Sequence, residues 1–329
     1  MNARESDTMA TLLTHRSHDV DDQAKSLSGW RQTYDQLGGG RFEGSAWQVV
    51  MRDGVLLRES TNRHLREQIV PPAGHVVLAV PLSVAPGSVF AGRPLERESL
   101  MVLSSEEEYD LVPAGEFDLV GLSLHRDAVQ ACLPAESMAW LGQAEHERNL
   151  ALAPGAAAAI RKMLLAACAH AEQRIDALAE RSDETALLCD TLTQTVLLAM
   201  AGEGSEHASS IPRRADTRLR VVKRAIAFMR ANLHDDFGIA EISAAAFASR
   251  RSLQYCFEEF LHTTPQAYLR ALRLNEARRS LKLNAGQPIS SLANMLGFCS
   301  ASHFTRHYKL MFDELPSETL KLNCYGPGV

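Results

Sequence analysis

The feature that most constrains the fold of this 329-residue chain is an internal repeat near its C-terminal end. A serine suited to start a helix occurs at Ser249 and again 51 residues later at Ser300. In both copies apolar residues follow four, eight and eleven positions on, and a proline follows sixteen positions on. This spacing keeps the apolar residues on one face of a helix with 3.6 residues per turn, and serine is a preferred N-cap. Each copy therefore predicts an amphipathic helix that ends before a proline.

A second, shorter apolar pattern precedes each of these helices, over residues 239–246 and 289–296. Each copy is then helix, tight turn and helix, the arrangement of a helix-turn-helix unit, whose second helix lies in the DNA major groove. Between the two units, the apolar positions of 265–283 predict a connecting helix about 27 Å long. Such a helix could hold two recognition helices about one turn of DNA apart, roughly 34 Å.

The exposed positions at the start of each second helix carry side chains suited to base edges. Arginine can bond a guanine edge twice and glutamine an adenine edge, and alanine can touch a thymine methyl group. Hydroxyl and lysine side chains are common phosphate contacts, which position a protein without specifying sequence. The predicted base-facing residues are Arg250, Arg251, Gln254, Tyr255, Ala301, Ser302, His303 and Arg306, and the predicted phosphate contacts are Ser249, Ser300 and Lys309.

The charge is unevenly distributed along the chain. The net charge is −6, but residues 217–323 contain fifteen Lys or Arg and nine Asp or Glu, a balance of +6 that leaves −12 for the remainder. A basic C-terminal part on an acidic body is expected when one domain meets phosphates.

The N-terminal part predicts a different architecture. Short apolar runs punctuated by Gly and Pro lie within residues 45–125, two of them around the turn Asp53-Gly54, and this is typical of an antiparallel β-barrel or sandwich. The runs are 46–51, 55–59, 75–82, 88–90, 99–103, 109–112 and 117–124. Residues 126–201 become helical, and a helix pair over 156–201 could pack on the sheets or form a dimer interface. The chain is thus predicted to be a two-domain α+β protein: a disordered tail at 1–25, a sensor or dimerisation domain at 26–201, a linker at 202–216 and a helical DNA-binding domain at 217–323.

At this point the C-terminal residues resemble a known family. The motifs Ser249-Arg-Arg-Ser-Leu-Gln-Tyr-Cys-Phe257, Ile289-x-x-Leu-Ala-x-x-x-Gly-Phe298 and Phe312-x-x-x-Pro316 resemble the AraC/XylS family of transcription regulators. The resemblance implies a sequence-specific regulator that binds double-stranded DNA, contacts RNA polymerase and forms a homodimer, with an N-terminal sensor domain. Two positions depart from the family pattern, because Phe247 and His262 stand where glycine is common.

A narrower resemblance concerns regulators of ethanolamine operons. Residues 249–254, Leu274-Asn275 and the N-terminal stretch from Trp30 to Gly44 are similar to that subgroup. This resemblance is less specific than the family pattern.

Three functions compete on sequence grounds. The first is a regulator, expected to be an activator, whose N-terminal domain binds a small effector. Its candidate effector contacts are Trp47, His75 and Tyr109, although such residues are more often structural. The second is a DNA-binding regulator controlled by a protein partner or by its abundance, without a small ligand. The third, a metal-dependent barrel enzyme, is disfavoured because the histidines are scattered and no C-x-x-C pair, nucleophile elbow or phosphate-binding loop occurs.

The same patterns suggest no cofactor and no bound metal. The six cysteines fit small core residues in a reducing compartment. The N-terminal residues lack the apolar segment of a signal peptide, and the most apolar window, 151–169, is interrupted by charges. The expectation is a cytoplasmic protein that does not enter the membrane.

Overall fold

The computed structural model describes residues 10–105, 107–175, 181–202, 213–283 and 288–324. Strands dominate the first half of the described chain and helices the second. The strands are β1 (Thr11–Ser17), β2 (Arg31–Gln36), β3 (Gly44–Val50), β4 (Gly54–Thr61), β5 (Leu65–Val70), β6 (His75–Val84), β7 (Val89–Phe90), β8 (Arg93–Pro94), β9 (Ser99–Ser104), β10 (Tyr109–Val112), β11 (Phe117–His125) and β12 (Asn149–Ala151). The helices are α1 (Val20–Gln23), α2 (Arg126–Cys132), α3 (Ala135–Glu147), α4 (Pro154–Gln173), α5 (Arg181–Gly202), α6 (Arg213–Ala231), α7 (Ile239–Ala245), α8 (Arg250–Leu261), α9 (Pro265–Leu283), α10 (Ile289–Met295), α11 (Ala301–Phe312) and α12 (Pro316–Cys324).

The strands form two antiparallel sheets that face each other. Sheet A has the order β1-β3-β4-β11-β6-β9-β12, and sheet B has the order β2-β5-β10-β7-β8. The turn at Asp53-Gly54 joins β3 to β4, and Met51 donates its N–H to the carbonyl of Gly54 at 2.9 Å. The α+β class is confirmed, and of the two predicted forms the strands adopt the sandwich.

Two apolar cores are associated with sheet A. Alternate residues of its strands, such as Leu57 and Met101, pack against Ile69 and Leu111 of sheet B. The opposite face, with Leu56 among its residues, packs on helices α2 to α5. Because successive side chains of a strand point to opposite faces, the central strands of sheet A are buried on both sides.

Helix α5 is the apolar member of the predicted helix pair. Among the described residues, one helical segment, Asp183–Gly202, is long and apolar enough to cross a membrane by length and composition, and 39% of it is buried. Its buried residues Leu188, Leu192 and Val196 join the core that covers sheet A. The helix pair therefore packs on the sheet, one of the two arrangements that the sequence left open.

The predicted disordered tail at 1–25 is wrong from residue 11 onward. β1 pairs along its whole length with β3, and Asp19 caps α1 by accepting from the N–H of Asp21 at 3.0 Å. The strand is polar because it lies at the edge of sheet A, where backbone pairing stabilises it without a hydrophobic run of its own. Residues 1–9 lie outside the described residues.

The predicted linker at 202–216 is described only at its ends. Its residues 203–212 lie outside the described residues, and α6 already begins at Arg213. The division of the chain into domains stays a prediction.

The cysteines differ from the expectation in one respect. The sulfurs of Cys132 in α2 and Cys189 in α5 form a disulfide, where small core residues were expected. Cys168 and Cys256 are free and buried as predicted, while Cys299 is free and exposed. The pairing was hidden in the sequence because the two residues are 57 positions apart.

Candidate nucleic-acid interface

The first helix-turn-helix unit consists of α7 and α8. Ser249 caps α8 by accepting from the N–H of Ser252 at 3.1 Å, as the sequence predicts. Leu253 and Phe257 are fully buried and pack in one cluster with Ile242 of α7 and Val222 of α6. The apolar face of α8 is thus fixed against α6 and α7, and its opposite face is left exposed.

The second unit, α10 and α11, repeats this construction around a separate cluster. Ser300 caps α11 by accepting from the N–H of His303 at 3.2 Å. Phe304 and Tyr308 are fully buried with Leu292 of α10 and Leu281 of α9. Each unit therefore has its own core, and α9 with its 19 residues contributes to both.

The exposed faces of α8 and α11 carry the side chains that the sequence predicts to face bases. Ala301 is half-buried and the other seven are exposed: Arg250, Arg251, Gln254, Tyr255, Ser302, His303 and Arg306. The predicted phosphate contacts Ser249, Ser300 and Lys309 are also exposed. The structure thus places all eleven residues on or beside two solvent-facing recognition helices.

Several of these side chains have partners that pre-position them. Gln254 donates to Glu258 Oε1 at 2.9 Å, and the guanidinium of Arg218 lies 5.8 Å from the centre of the Tyr255 ring. On α11 the Nε2 atoms of His303 and His307 are 3.0 Å apart. Partial burial and the nearby charges of Arg270 and His303 lower the pKa of His307, which favours its neutral form. The neutral His307 can accept a hydrogen bond from His303 and hold its ring in place.

The two positions that depart from the family pattern both have a left-handed backbone. Phe247, in the turn of the first unit, has a φ of +53°, and His262, after α8, has a φ of +47°. Glycine adopts this region at little cost, whereas a side chain crowds the backbone there. Phe247 is 82% exposed, and the guanidinium of Arg224 lies 5.3 Å from the centre of its ring. The two residues that depart from the family pattern are therefore both in a strained backbone conformation.

We expect the Phe247→Gly variant to be more stable than the parent by about 0.5–1 kcal/mol, because the relief of left-handed strain exceeds the extra chain entropy of glycine. The denaturant midpoint of the purified protein measures this. The Phe247→Ala variant is the matched control, since alanine keeps the strain. Equal midpoints for the two variants would show that the turn is not strained.

A polar interface joins the sheets to the helices that carry the two units. We call it the α9 interface, and its central residue is Asp35, whose side chain is fully buried. Asp35 pairs with Arg230 of α6 and, at 3.1 Å, with Arg279 of α9. Its residues are Asp19, Asp21, Asp35 and Gln36 on the N-terminal side and Arg230, Asn275, Arg278, Arg279 and Lys282 on the helical side.

Hydrogen bonds fix the register of this interface. Asn275 of α9 is buried, accepts from the N–H of Gln36 at 3.1 Å and donates to its carbonyl at 2.9 Å. The side chain of Gln36 in turn donates to the carbonyl of Met311 at the end of α11 at 2.7 Å. Residues at the end of β2 therefore contact both the connecting helix and the second recognition helix.

The α1 segment supplies further carboxylates to the same helix. Asp19 bonds Arg278 at 2.8 Å and pairs with Lys282, while Asp21 bonds Arg279 at 2.7 Å. Burial alone would raise the pKa of Asp19, but Lys282 and Arg278 outweigh burial and lower it. Part of the positive charge that the sequence suggested for DNA is therefore neutralised within the molecule.

The sequence did not predict the α9 interface. Two charged segments of the sequence could have indicated it. One is the basic set Arg278, Arg279 and Lys282, on the connecting helix, for which no DNA contact is predicted. The other is the acidic run Asp19–Asp22, whose charge is of the opposite sign. These segments are more than 250 residues apart, so no local pattern pairs them.

The three candidate effector contacts do not form one site. Tyr109 is buried between the sheets, stacks on Phe90 with ring centres 5.8 Å apart, and accepts from the N–H of Ser104 at 2.8 Å. His75, at the start of β6, has its Nδ1 2.9 Å from Ser123 Oγ. Trp47 lines a cavity of about 310 Å³ between sheet A and α4. Trp47 is placed at this cavity, whereas Tyr109 has the contacts of a core residue.

A buried carboxyl pair lies near α1. Burial raises the pKa of Glu59, against the hydrogen bonds from Gln23 and Tyr34, and burial together with Glu59 raises the pKa of Glu67. Glu59 accepts from Tyr34 Oη and from Gln23 Nε2, each at 2.8 Å. These bonds tie β2, β4 and α1 together.

Comparison with known proteins agrees with this geometry. The model of the helix-turn-helix domain family matches residues 242–322. The chain is 33% identical over 97 residues to the HTH-type transcriptional regulator GbdR of Pseudomonas aeruginosa, covering 30% of this chain and 26% of that protein. It is 32% identical over 101 residues to the XylDLEGF operon transcriptional activator of Pseudomonas putida, covering 30% and 32% respectively. The matches thus span about a quarter to a third of these relatives.

Among solved structures, an AraC-type transcriptional regulator from Chromobacterium violaceum is 30% identical, with 35% of this chain and 99% of that chain covered and a TM-score of 0.32. Two capped recognition helices on separate cores and a match to the helix-turn-helix family define a double helix-turn-helix unit. This C-terminal part of the chain, residues 242–322, belongs to the AraC/XylS family of helix-turn-helix regulators. The relatives named here are transcriptional regulators. The ethanolamine subgroup is not among the matches given above and stays a prediction.

Proposed function

We propose that this protein is a transcriptional activator whose affinity for double-stranded DNA is controlled by a small molecule bound in its N-terminal part. The α9 interface is the observation that carries the proposal of control. It joins the sheets to α9, which contributes to both helix-turn-helix cores, and to the end of α11. A change in the sheets would therefore alter the placement of the two recognition helices.

We propose that α8 and α11 enter successive major grooves with the eight base-facing residues named above. The exposure of those residues and the serine caps support this arrangement. Activation follows the Pseudomonas putida relative, which is named as an activator. RNA polymerase as a partner, a homodimer and a cytoplasmic location are further parts of the proposal.

The test is selection of genomic DNA fragments by the full-length protein, followed by footprinting with and without a panel of metabolites. We expect protection of about two adjacent major-groove segments per protomer and a change in affinity with at least one metabolite. Protection that no metabolite changes would overturn effector control and favour control by a protein partner or by abundance. Salt-sensitive binding without any preferred site would overturn sequence-specific binding.

We expect Arg306→Ala to weaken binding to the selected site by about 1–3 kcal/mol and to relax the preference at one base pair, because arginine recognises a base edge. Lys309→Ala is the matched control on the same exposed face of α11. As a phosphate contact, it should weaken binding to all sequences alike and lower the salt slope by about one. Titration of site variants at several salt concentrations measures both effects. Undiminished discrimination by Arg306→Ala would remove Arg306 from the base-facing set.

A further inference from the structure

The cavity beside Trp47 has walls of mixed chemistry. Its volume is about 310 Å³, at the lower end of the range of about 300–1,000 Å³ typical of small-molecule sites. Strands β3, β4 and β11 supply Trp47, Arg58 and Asp118, and helix α4 supplies Cys168 and Glu172. The cavity lies on the helix-covered face of sheet A, outside the space between the two sheets.

Arg58 has hydrogen-bonding capacity that its protein partners do not use. One of its terminal nitrogens lies 3.4 Å from Asp118 Oδ2, while its Nε is buried without a hydrogen-bond partner. A guanidinium presents its N–H groups as a fork that matches a carboxylate. The Arg58 side chain is 43% exposed, so the outer N–H groups of its guanidinium are open to an acceptor, and this side of the cavity favours a ligand carboxylate.

The other groups around the cavity favour a positive charge. The acidic residues of the lining are Asp118, Glu172 and Glu59, against the one cation of Arg58, and the face of the Trp47 ring attracts cations. Burial raises the pKa of the Cys168 thiol to about 12, with Arg58 opposing and Glu172 adding to the shift. The positive charge of Arg58 and the negative charge of Glu172 therefore both lie close enough to Cys168 to affect its pKa, in opposite directions. An anion alone would face net negative walls, and a cation alone would leave the outer N–H groups of Arg58 without a ligand acceptor.

We infer that this cavity binds a small zwitterion of the amino-acid type. The ligand carboxylate bonds Arg58, its ammonium group lies toward Asp118 and Glu172, and its remaining atoms contact Trp47 and Cys168. This inference rests on the proposed effector control and names its site and its ligand class.

Gln23 connects the cavity to the α9 interface through α1, and Tyr34 of β2 connects them a second time, since its Oη donates to Glu59 and its carbonyl accepts from Arg279. Gln23 donates to the carbonyl of Ser45 at 3.3 Å and to Glu59 Oε1 at 2.8 Å, and both Ser45 and Glu59 line the cavity. Gln23 is the last residue of α1, and Asp19 and Asp21 at the start of that segment hold α9. A ligand that shifts β3 or β4 would therefore move α1 and change its contacts with α9.

Thermal unfolding and calorimetric titration of the full-length protein with each of the twenty proteinogenic L-amino acids test the ligand class. A ligand that binds the native state raises the unfolding temperature. We expect at least one amino acid to bind, and its decarboxylated amine and its deaminated acid to bind at least about tenfold more weakly. Binding of no amino acid, or equally tight binding of the amine or the acid, would overturn the inference.

Variants test the site. Arg58→Met should weaken binding at least about tenfold and Arg58→Lys less, because lysine keeps the charge and loses the fork. Arg31→Met, an exposed arginine on β2, is the control and should bind as the parent does. Unchanged affinity in Arg58→Met would overturn the assignment. Unfolding temperatures of the variants without ligand confirm that each is folded.

The coupling has its own variant. Gln23→Leu should keep the affinity for the amino acid within about twofold. It should lose the effect of the amino acid on DNA affinity, because it removes the hydrogen bonds through which the cavity and α1 are coupled. A full ligand effect in this variant would overturn the route through α1. DNA affinity that responds to another metabolite and to no amino acid overturns this inference and leaves the proposed function standing. Failure of the protein to select any DNA fragment overturns the proposed function. Amino-acid binding is measured without DNA, so that failure leaves the result of the binding experiment unchanged.

Discussion

Replacing Asp35 with alanine is expected to lower the free energy of unfolding by about 3 kcal/mol or more, because it leaves the charges of Arg230 and Arg279 without their shared partner. The side chain of Asp35 is fully buried, and those of Arg230 and Arg279 are 30% and 23% exposed. Denaturant unfolding followed by circular dichroism measures the change. Asp22→Ala is the matched control, because the Asp22 side chain is 56% exposed beside His15 and surface pairs contribute about 1 kcal/mol at most.

The same variant tests whether the α9 interface transmits control. If the sheets act on DNA binding through α9, Asp35→Ala should bind DNA with an affinity that no metabolite changes. A denaturant midpoint equal to that of the parent, or full retention of a ligand effect, would contradict this role.

The interface also explains why the net charge of the C-terminal part overstates the charge open to DNA. Arg230, Arg278, Arg279 and Lys282 are all paired with carboxylates of the N-terminal part.

The repeat made the helical half predictable from sequence. Capping serines, apolar spacing and prolines are local features, so they predicted α9 with its observed bounds and α8 and α11 with their observed first residues. Phe247 and His262 stand out for the same reason, since each is a side chain at a position whose backbone suits glycine.

The sheets were less predictable where polar residues point inward. The predicted strands are those with regular apolar runs, such as β3, β6 and β11. β5 was missed because buried Glu67 replaces an apolar residue between Leu65 and Ile69. β2 was missed because its buried end contains Asp35 and Gln36, whose partners lie about 240 residues away. Periodicity detects burial against apolar neighbours and does not detect burial in a polar interface.

The separate cores of the two helix-turn-helix units lead to the last prediction. Phe304 is fully buried and contacts Phe298 and Tyr308, with ring centres 5.1 and 5.6 Å apart. Phe304→Ala should lower the stability of the second unit by about 3–5 kcal/mol, the usual loss for a buried phenylalanine. Because Phe304 belongs to the cluster of α10 and α11 and not to that of α7 and α8, the first unit should stay folded. Footprinting should then show protection of only the half-site bound by α8.

The reciprocal variant is Leu253→Ala, at the same position of the repeat in the first unit and also fully buried. It should lose about 2–5 kcal/mol and leave only the half-site bound by α11. Opposite halves of the footprint in the two variants would show that each core supports its own recognition helix. Loss of the whole footprint in both variants would show instead that α9 makes the two units fold as one, so that half-sites cannot be bound separately.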